Sequence, residues 1–279
     1  MPNTEDYLLG TDDTESVRLG IQHRLWSAQA AAIWERARIG PGSRVLDVGP
    51  GPGYAAADLA ELVGPGGRVL GVEGSPRYVE LFRSRMSALG HGHAAVVKGD
   101  IHHLATLVRT NGDEAGSFDA AYCRWVLSFS PDVSGVLAQI GACLTPGGRI
   151  AIQDYFNWRA MSLAPRRPEF TRVIEAILAF WESGEGSNDV MAVVPRLLRD
   201  ASFRLEHFSV NQRIARPGEP LWNWPDSFWP SIIPRVVDAG FLTEPESRAF
   251  FAAWRDASMD PDCFMMVPPV FDAVAVWRG

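Results

Sequence analysis

Three glycines at alternate positions, Gly49, Gly51 and Gly53, follow directly on the apolar run Arg44–Val48. An apolar strand that ends in such a turn and runs into a helix lays bare backbone against a ligand. Glycine is needed because a side chain would block the approach and because the turn can demand positive φ. Two ligand classes use this geometry. A dinucleotide site wants G-x-G-x-x-G, whose third glycine lets helix and strand pack. Here Tyr54 stands at that third position, the last glycine falls one residue earlier, and Asp47 lies two residues before the first. The pattern therefore counts against a nicotinamide-dependent oxidoreductase. Pro50 removes one N–H donor from the turn and fixes its own φ at about −65°. Glu73 directly follows Val69–Leu70–Gly71–Val72, where a carboxylate can accept hydrogen bonds from both hydroxyls of a ribose.

The run Asp47-x-Gly49-x-Gly51-x-Gly53 resembles the first motif of class I S-adenosylmethionine-dependent methyltransferases, which more often have Cys, Ala or Ser where Pro50 stands. Further stretches match that family in order: Glu73, then Lys98–Gly99–Asp100–Ile101, then Phe118–Asp119–Ala120–Ala121–Tyr122 and Leu144–Thr145–Pro146–Gly147–Gly148–Arg149. The resemblance covers residues 44 to 154. It implies an α/β fold with a Rossmann-like, seven-stranded, mostly parallel sheet and helices on both faces. It also implies S-adenosyl-L-methionine as cofactor and S-adenosyl-L-homocysteine as product. The cofactor would lie against Asp47, Gly49, Gly51, Gly53, Glu73, Gly74, Asp100, Ile101, Cys123 and Arg124. Asp100 would accept from the adenine amino group, with Ile101 on the adenine face. Tyr7–Leu8–Leu9–Gly10, followed by Glu15, Arg18, Leu19 and Gln22, is similar to the N-terminal cap of many bacterial small-molecule methyltransferases. In such relatives a cap helix closes over the cofactor. The methionine carboxylate would then meet Tyr7, Gln22 or Arg124. Arg124 is the most economical of the three, because open α/β folds bind ligands at the C-terminal edge of the sheet. Tyr7 and Gln22 could equally be helix-surface packing.

Methyl transfer is an in-line displacement at a sulfonium carbon, so the protein must align donor and acceptor and keep out water. A hydroxyl or carbon acid needs a base, whereas an amine needs only to be uncharged. Asp154 and Tyr155, after the fifth strand candidate, are the candidates to face the acceptor, although Asp154 could as well cap a turn. His102 and His103 lie just beyond Asp100, and His103 joins the catalytic candidates as a possible base. Methyltransferases acting on nucleic-acid or protein nitrogens carry Asn/Asp-Pro-Pro-Tyr/Phe after strand four. Cys123–Arg124–Trp125–Val126 stands there instead, which disfavours such acceptors. Leu221–Trp229 holds Trp222, Trp224, Phe228 and Trp229 beside Pro225. These rings could fill a core or line a pocket for a flat or apolar molecule. His91-x-His93 and His102–His103 lack a carboxylate or thiol at ligand spacing, so no metal is expected.

These residues need a scaffold. From Arg44 to Phe156 short apolar runs alternate with amphipathic stretches, the pattern of a parallel sheet covered by helices. Strands are predicted at Arg44–Val48, Arg68–Val72, Ala94–Lys98, Phe118–Cys123 and Arg149–Gln153. Helices are predicted near Tyr54–Val63, Pro76–Leu89, His103–Arg109 and Asp132–Leu144. Ser75–Pro76 supplies an N-cap and a first-turn proline. Glu15–Arg38 reads as a cap helix. After Phe156 the alternation breaks. Pro168–Trp181 and Pro245–Ala257 read as helices, Asn188–Ala201 as a helix disturbed by Pro195, and Phe203–Ile214 as a strand. Pro217–Pro234 is a Trp- and Pro-rich insertion, and Phe264–Trp277 is expected to close the sheet. The organisation is a cap over residues 1–40 and one methyltransferase domain over 41–279. Its cofactor half is 41–156; the lid, helical and Trp-rich, and the final strands occupy 157–279.

The 279 residues, 47% hydrophobic, suffice for a sizeable core. A net charge of −7 without a basic patch disfavours nucleic acid and anionic membrane as partners. Arg166–Arg167 is too short to form such a patch. No apolar run is long enough to span a bilayer and the start lacks a leader, so a cytoplasmic protein with reduced Cys123, Cys143 and Cys263 is expected. The leading reading is a monomer or homodimer that methylates a small apolar or aromatic metabolite at O, N or C. The alternative keeps the fold and the cofactor but uses bound S-adenosylmethionine structurally or as a regulator, without methylating.

Overall fold

The structure, a computed structural model, describes residues 11–184 and 186–279. Tyr7 and the rest of the Tyr7–Gly10 stretch lie outside the described residues. Helix α1 (Asp13–Arg36) starts where the Asp12 side chain accepts from the Glu15 N–H, and it buries Trp26, Ala30, Ile33 and Trp34. The chain then alternates through β1 (Arg44–Val48), α2 (Tyr54–Val63), β2 (Arg68–Glu73), α3 (Pro76–Leu89), β3 (Ala94–Lys98), α4 (Leu104–Thr110), β4 (Phe118–Arg124), α5 (Val133–Cys143) and β5 (Leu144–Tyr155). The second half runs β6 (Ser162–Ala164), α6 (Pro168–Glu182), α7 (Val194–Asp200), β7 (Phe203–Asn211), β8 (Ile214–Ala215), α8 (Asn223–Asp238), α9 (Glu244–Met259), β9 (Phe264–Met266) and β10 (Val270–Trp277).

Seven strands form one Rossmann-like sheet in the order β3–β2–β1–β4–β5–β10–β7. The pairs among β1 to β5 are parallel, and β10 runs antiparallel to both its neighbours. Parallel strands must bury both faces. Val45, Val69, Val96 and Ala120 pack with residues of α1, α2 and α3, while Leu46, Val48, Leu70, Val72 and Ile152 pack with those of α4, α5 and α7. After β1 the chain winds outward to β3, then returns to lay β4 on the other side of β1. That reversal opens a crevice at the C-terminal ends of β1 and β4.

The second half departs from expectation at three places. Phe264–Trp277 is two strands, broken at Pro268–Pro269. β9 joins β6 and β8 in a small separate sheet, and β10 inserts between β5 and β7 instead of closing the edge. Phe203–Ile214 likewise divides into β7 and β8. The Trp- and Pro-rich insertion is a short 3-10 turn, Pro220–Trp222, that runs into α8 with Pro230 and Pro234 inside the helix. An interior proline costs a helix ~3 kcal/mol. Both prolines are exposed, while Trp224, Trp229, Ile232, Ile233 and Val236 are buried on the other side. Tertiary burial outweighs local propensity there. Helices α6, α8 and α9 form an aromatic third core with Trp26, Trp125 and Tyr155, over the C-terminal ends of β4 and β5. Among the described residues no helix is long and apolar enough to cross a membrane.

Candidate functional site

Gly49, Gly51 and Gly53 have φ of 65°, 56° and 82°, a region closed to most side chains. A Cβ on Gly49 would also come within 2.7 Å of a Val126 methyl. The Gly53 N–H donates to the Pro50 carbonyl at 3.1 Å, closing the turn. Pro50 is accommodated by β2: a Cβ at Gly71 would stand 2.7 Å from its ring. Tyr54 fastens the turn to α1. Its hydroxyl donates to the Ser16 carbonyl at 3.2 Å, and Arg85 lies over its ring at 3.7 Å. Gly20 leaves space for that ring, since a Cβ there would approach it to 2.7 Å.

The turn forms one wall of a cleft of about 590 Å³. Opposite Gly51, the Glu73 carboxylate accepts from the Gly51 N–H at 2.9 Å and the Ser75 N–H at 2.8 Å. Burial raises its pKa against the pull of these backbone donors. Deeper in, Asp47 is almost fully buried and its Oδ2 has no hydrogen-bond partner. Desolvation pushes its pKa to about 7; the Arg124 charge lowers it and the Glu73 charge raises it. Arg124 has one buried nitrogen, Nη1, without a partner. Its Nη2 donates to His23 Nδ1 at 2.8 Å, and His23 Nε2 meets Asp58 Oδ2 at 2.9 Å. A guanidinium only donates, so His23 accepts at Nδ1 and its proton sits on Nε2, donated to Asp58. At the far end Asp100 accepts from the backbone and ring of His102, at 2.9 and 2.6 Å. Burial pushes Asp100 up, but these bonds and the two neighbouring histidines leave its pKa below the ordinary value.

Trp125 lines both this cleft and a second chamber, a position it shares with Gln22 and Phe129. Its φ of 53° is an outlier for so bulky a residue, held by its N–H donating to the Gln153 carbonyl at 2.9 Å. Tyr155 stacks on it at 6.2 Å. Trp158, Trp181, Trp224 and Trp229 complete the aromatic wall of the chamber, with Arg18 and Gln22 as its charged and polar members. Arg18 is bound by both oxygens of Glu15 at 2.6 Å. Gln22 accepts from Arg18 at 2.9 Å and from the Trp224 indole at 2.9 Å. The chamber holds about 40 Å³ of free space, enough for roughly one to three waters.

Asp47, Gly49, Gly51, Glu73, Gly74, Asp100, Ile101, Arg124 and Gln22 all line the cleft. Gly53 lies beneath it as the N-cap of α2. Cys123 lines neither cavity and is fully buried, with burial pushing its thiol well up. Tyr155 reaches the chamber, but Asp154 does not. Asp154 is 0% exposed and accepts from the Ser128 and Tyr155 N–H groups at 3.2 and 2.9 Å. Burial raises its pKa to about 6 against those donors. It braces the Ser128 backbone behind the chamber wall. The His103 side chain is exposed and lines neither cavity; its neighbour His102 lines the cleft and meets Ser130 Oγ at 3.2 Å. The His23–Asp58 pair and the shared position of Trp125 carried no local sequence signal, because their partners are distant in the chain. Among the described residues no three His, Cys, Asp or Glu side chains converge on a metal position.

A family model for a methyltransferase domain matches residues 39–178. A sterol 24-C-methyltransferase of Aspergillus fumigatus is 29% identical over 192 residues, which are 66% of this chain and 45% of the relative. The chain thus spans less than half the length of the curated relatives it matches. Among solved structures, the YcgJ protein of Bacillus subtilis superposes with a TM-score of 0.57 at 15% identity, covering 90% of this chain and 97% of its own. The cyclase SpnF superposes with a TM-score of 0.55 at 16% identity, covering 90% and 81%. At such identities the likeness is one of fold.

Proposed function

The chain belongs to the class I S-adenosylmethionine-dependent methyltransferases, and from that premise we propose that it methylates a small apolar or aromatic molecule. The observation that carries this reading is a pair of orphaned buried atoms, Asp47 Oδ2 and Arg124 Nη1, beside one cleft. One oxygen and one nitrogen of opposite charge, each without a hydrogen-bond partner in the protein, match the ammonium and carboxylate of a methionine moiety. Glu73 would take the ribose hydroxyls and Asp100 the adenine amino group, so the residues present fit S-adenosylmethionine. Bound there, it supplies an electrophilic methyl carbon on a sulfonium.

The chain's own residues orient the acceptor and exclude water. Trp125, Gln22 and Phe129 line both the cleft and the aromatic chamber, so an acceptor among these rings would face the donor end of the cleft. Aromatic faces also tolerate a cationic neighbour. With Asp154 and His103 turned away, no carboxylate or imidazole among the described residues lines the chamber, and Tyr155 is the one catalytic candidate that reaches it. This suits an acceptor that is already nucleophilic, such as a neutral amine or an acidic phenol.

The second reading is a fold-mate that binds the cofactor without methylating; SpnF, of similar fold, is a cyclase. Incubation with S-adenosylmethionine and a panel of amines, phenols and carbon acids decides between them. Acceptor-dependent S-adenosylhomocysteine supports methyl transfer. Tight cofactor binding without turnover across the panel supports the second reading, and failure to bind S-adenosylhomocysteine overturns both.

A further inference from the structure

On the outer side of the lid lies a separate cavity of about 530 Å³, within the size range of small-molecule sites. Leu163, Phe170 and Leu178 give it an apolar floor, and each is buried. Arg159, Arg166 and Arg167 stand on its wall, against a single lining carboxylate, Glu175. The lining itself thus carries three guanidiniums to one carboxylate, on a chain of net charge −7. Arg159 is held by Glu182 at 3.5 Å, and Arg167 reaches Asp260 at 3.6 Å. The Arg167 Nε nevertheless has no partner and is buried, and Arg166 makes no hydrogen bond or ion pair with any described residue.

The placement of these arginines also opposes helix stability. Arg167 is the N-cap of α6 and provides no side-chain cap, so two guanidiniums flank the positive end of a helix dipole. Cations there are unfavourable and anions favourable. Glu169 offsets only part of this charge. Capping calls for neither Arg166 nor Arg167, and an anion would pair Arg166, add a second partner to Arg167 beside Asp260 and satisfy the helix terminus.

We propose that this cavity binds an amphipathic organic anion, its carboxylate or phosphate on Arg166 and Arg167 and its apolar body on Leu163, Phe170 and Leu178. Met161 borders both this cavity and the aromatic chamber, so the apolar end lies towards the chamber. The site stands independently of methyl transfer.

Calorimetric titration of the full chain with dodecanoate, below its aggregation concentration, tests the assignment. Dodecanoate binds the parent. Arg166→Glu, at an exposed side chain without a partner, keeps the fold and weakens binding about tenfold or more, the scale of a lost charged hydrogen bond. Arg167→Gln weakens it similarly, and dodecanol and inorganic phosphate each bind far more weakly. S-adenosylhomocysteine binds Arg166→Glu as it binds the parent and does not displace dodecanoate. Failure of dodecanoate to bind overturns the proposal, as does equal binding by dodecanol, by phosphate or by Arg166→Glu. Displacement by S-adenosylhomocysteine overturns it too, since the ligand would then sit in the cofactor cleft.

Discussion

Asp47 is the residue on which the cleft's electrostatics turn. Its ordinary pKa is 3.8, and burial raises it to about 7 in the fold. Between those values the folded chain holds a proton that the unfolded chain has released. The group's contribution to stability is therefore fully present below about pH 4 and lost as pH rises to about 7. Asp47→Asn removes that loss, so in urea denaturation at pH 8 the variant equals or exceeds the parent in stability. Cofactor binding moves the other way. An ammonium beside Asp47 favours the carboxylate, so affinity for S-adenosylhomocysteine falls as pH drops from 8 to 6, and Asp47→Asn binds about tenfold more weakly or worse. A variant that binds normally with an unchanged pH profile removes Asp47 from the site. His23 also lines the cleft and holds Arg124 by accepting from its Nη2. His23→Phe and Arg124→Ala should each weaken S-adenosylhomocysteine binding, and the double variant should be little worse than Arg124→Ala alone. Fully additive losses would mean that His23 does not work through Arg124. Glu73 was visible in the sequence because it directly follows an apolar run, Asp47 because it stands two residues before the first glycine of the turn, and Asp100 because it follows the third strand candidate in Lys98–Gly99–Asp100–Ile101. His23 and Asp58 were not, because they meet across 35 residues and His23 meets Arg124 across 101.

At the scale of elements, legibility followed local chemistry. β1, α2, α3 and β3 begin and end at the predicted residues, and for the two helices Gly53, Gly64, Ser75 and Gly90 set the limits through backbone conformation and capping. α8 was obscured for the opposite reason: its prolines are local signals against helix, while the burial that overrides them is tertiary. That conflict has a measurable consequence. Pro230 denies the Asp226 carbonyl its helical donor and is itself exposed. Pro230→Ala restores the donor and should stabilise the protein by about 1–2 kcal/mol, the helical gain less the added freedom of the unfolded chain. A urea midpoint shifted upward at constant m-value would show it. An unchanged or lower midpoint would mean that α8 has adapted around its prolines.

For the whole molecule, periodicity shows which residues face a core but not which strands are neighbours. The insertion of β10 between β5 and β7 depends on pairing residues 270–276 with 149–155, a contact that no local pattern encodes. The division into three cores has a dynamic consequence. Two cores clasp the sheet, while the third gathers α6, α8 and α9 around rings such as Trp229, Phe250 and Trp254, packed at 5.4 to 6.1 Å. Trp26, Trp125, Tyr155 and Val270 tie this third core to the cap helix and the sheet, with a Trp224–Gln22 hydrogen bond and a Trp181–Ser128 hydrogen bond beside them. Because α6, α8 and α9 share a core of their own, they are expected to open as a unit at less cost than global unfolding. They must do so if the chamber, with about 40 Å³ free, is to admit any molecule larger than a few waters. Native-state hydrogen exchange should find the amides of α6, α8 and α9 opening together, at a free energy below that of β1, β4 and β5. S-adenosylhomocysteine should protect the Gly49–Gly53 turn and β4 more than α9. Lid amides that exchange only through global unfolding would show the chamber to be closed to acceptors, and would shift the balance towards the non-methylating reading.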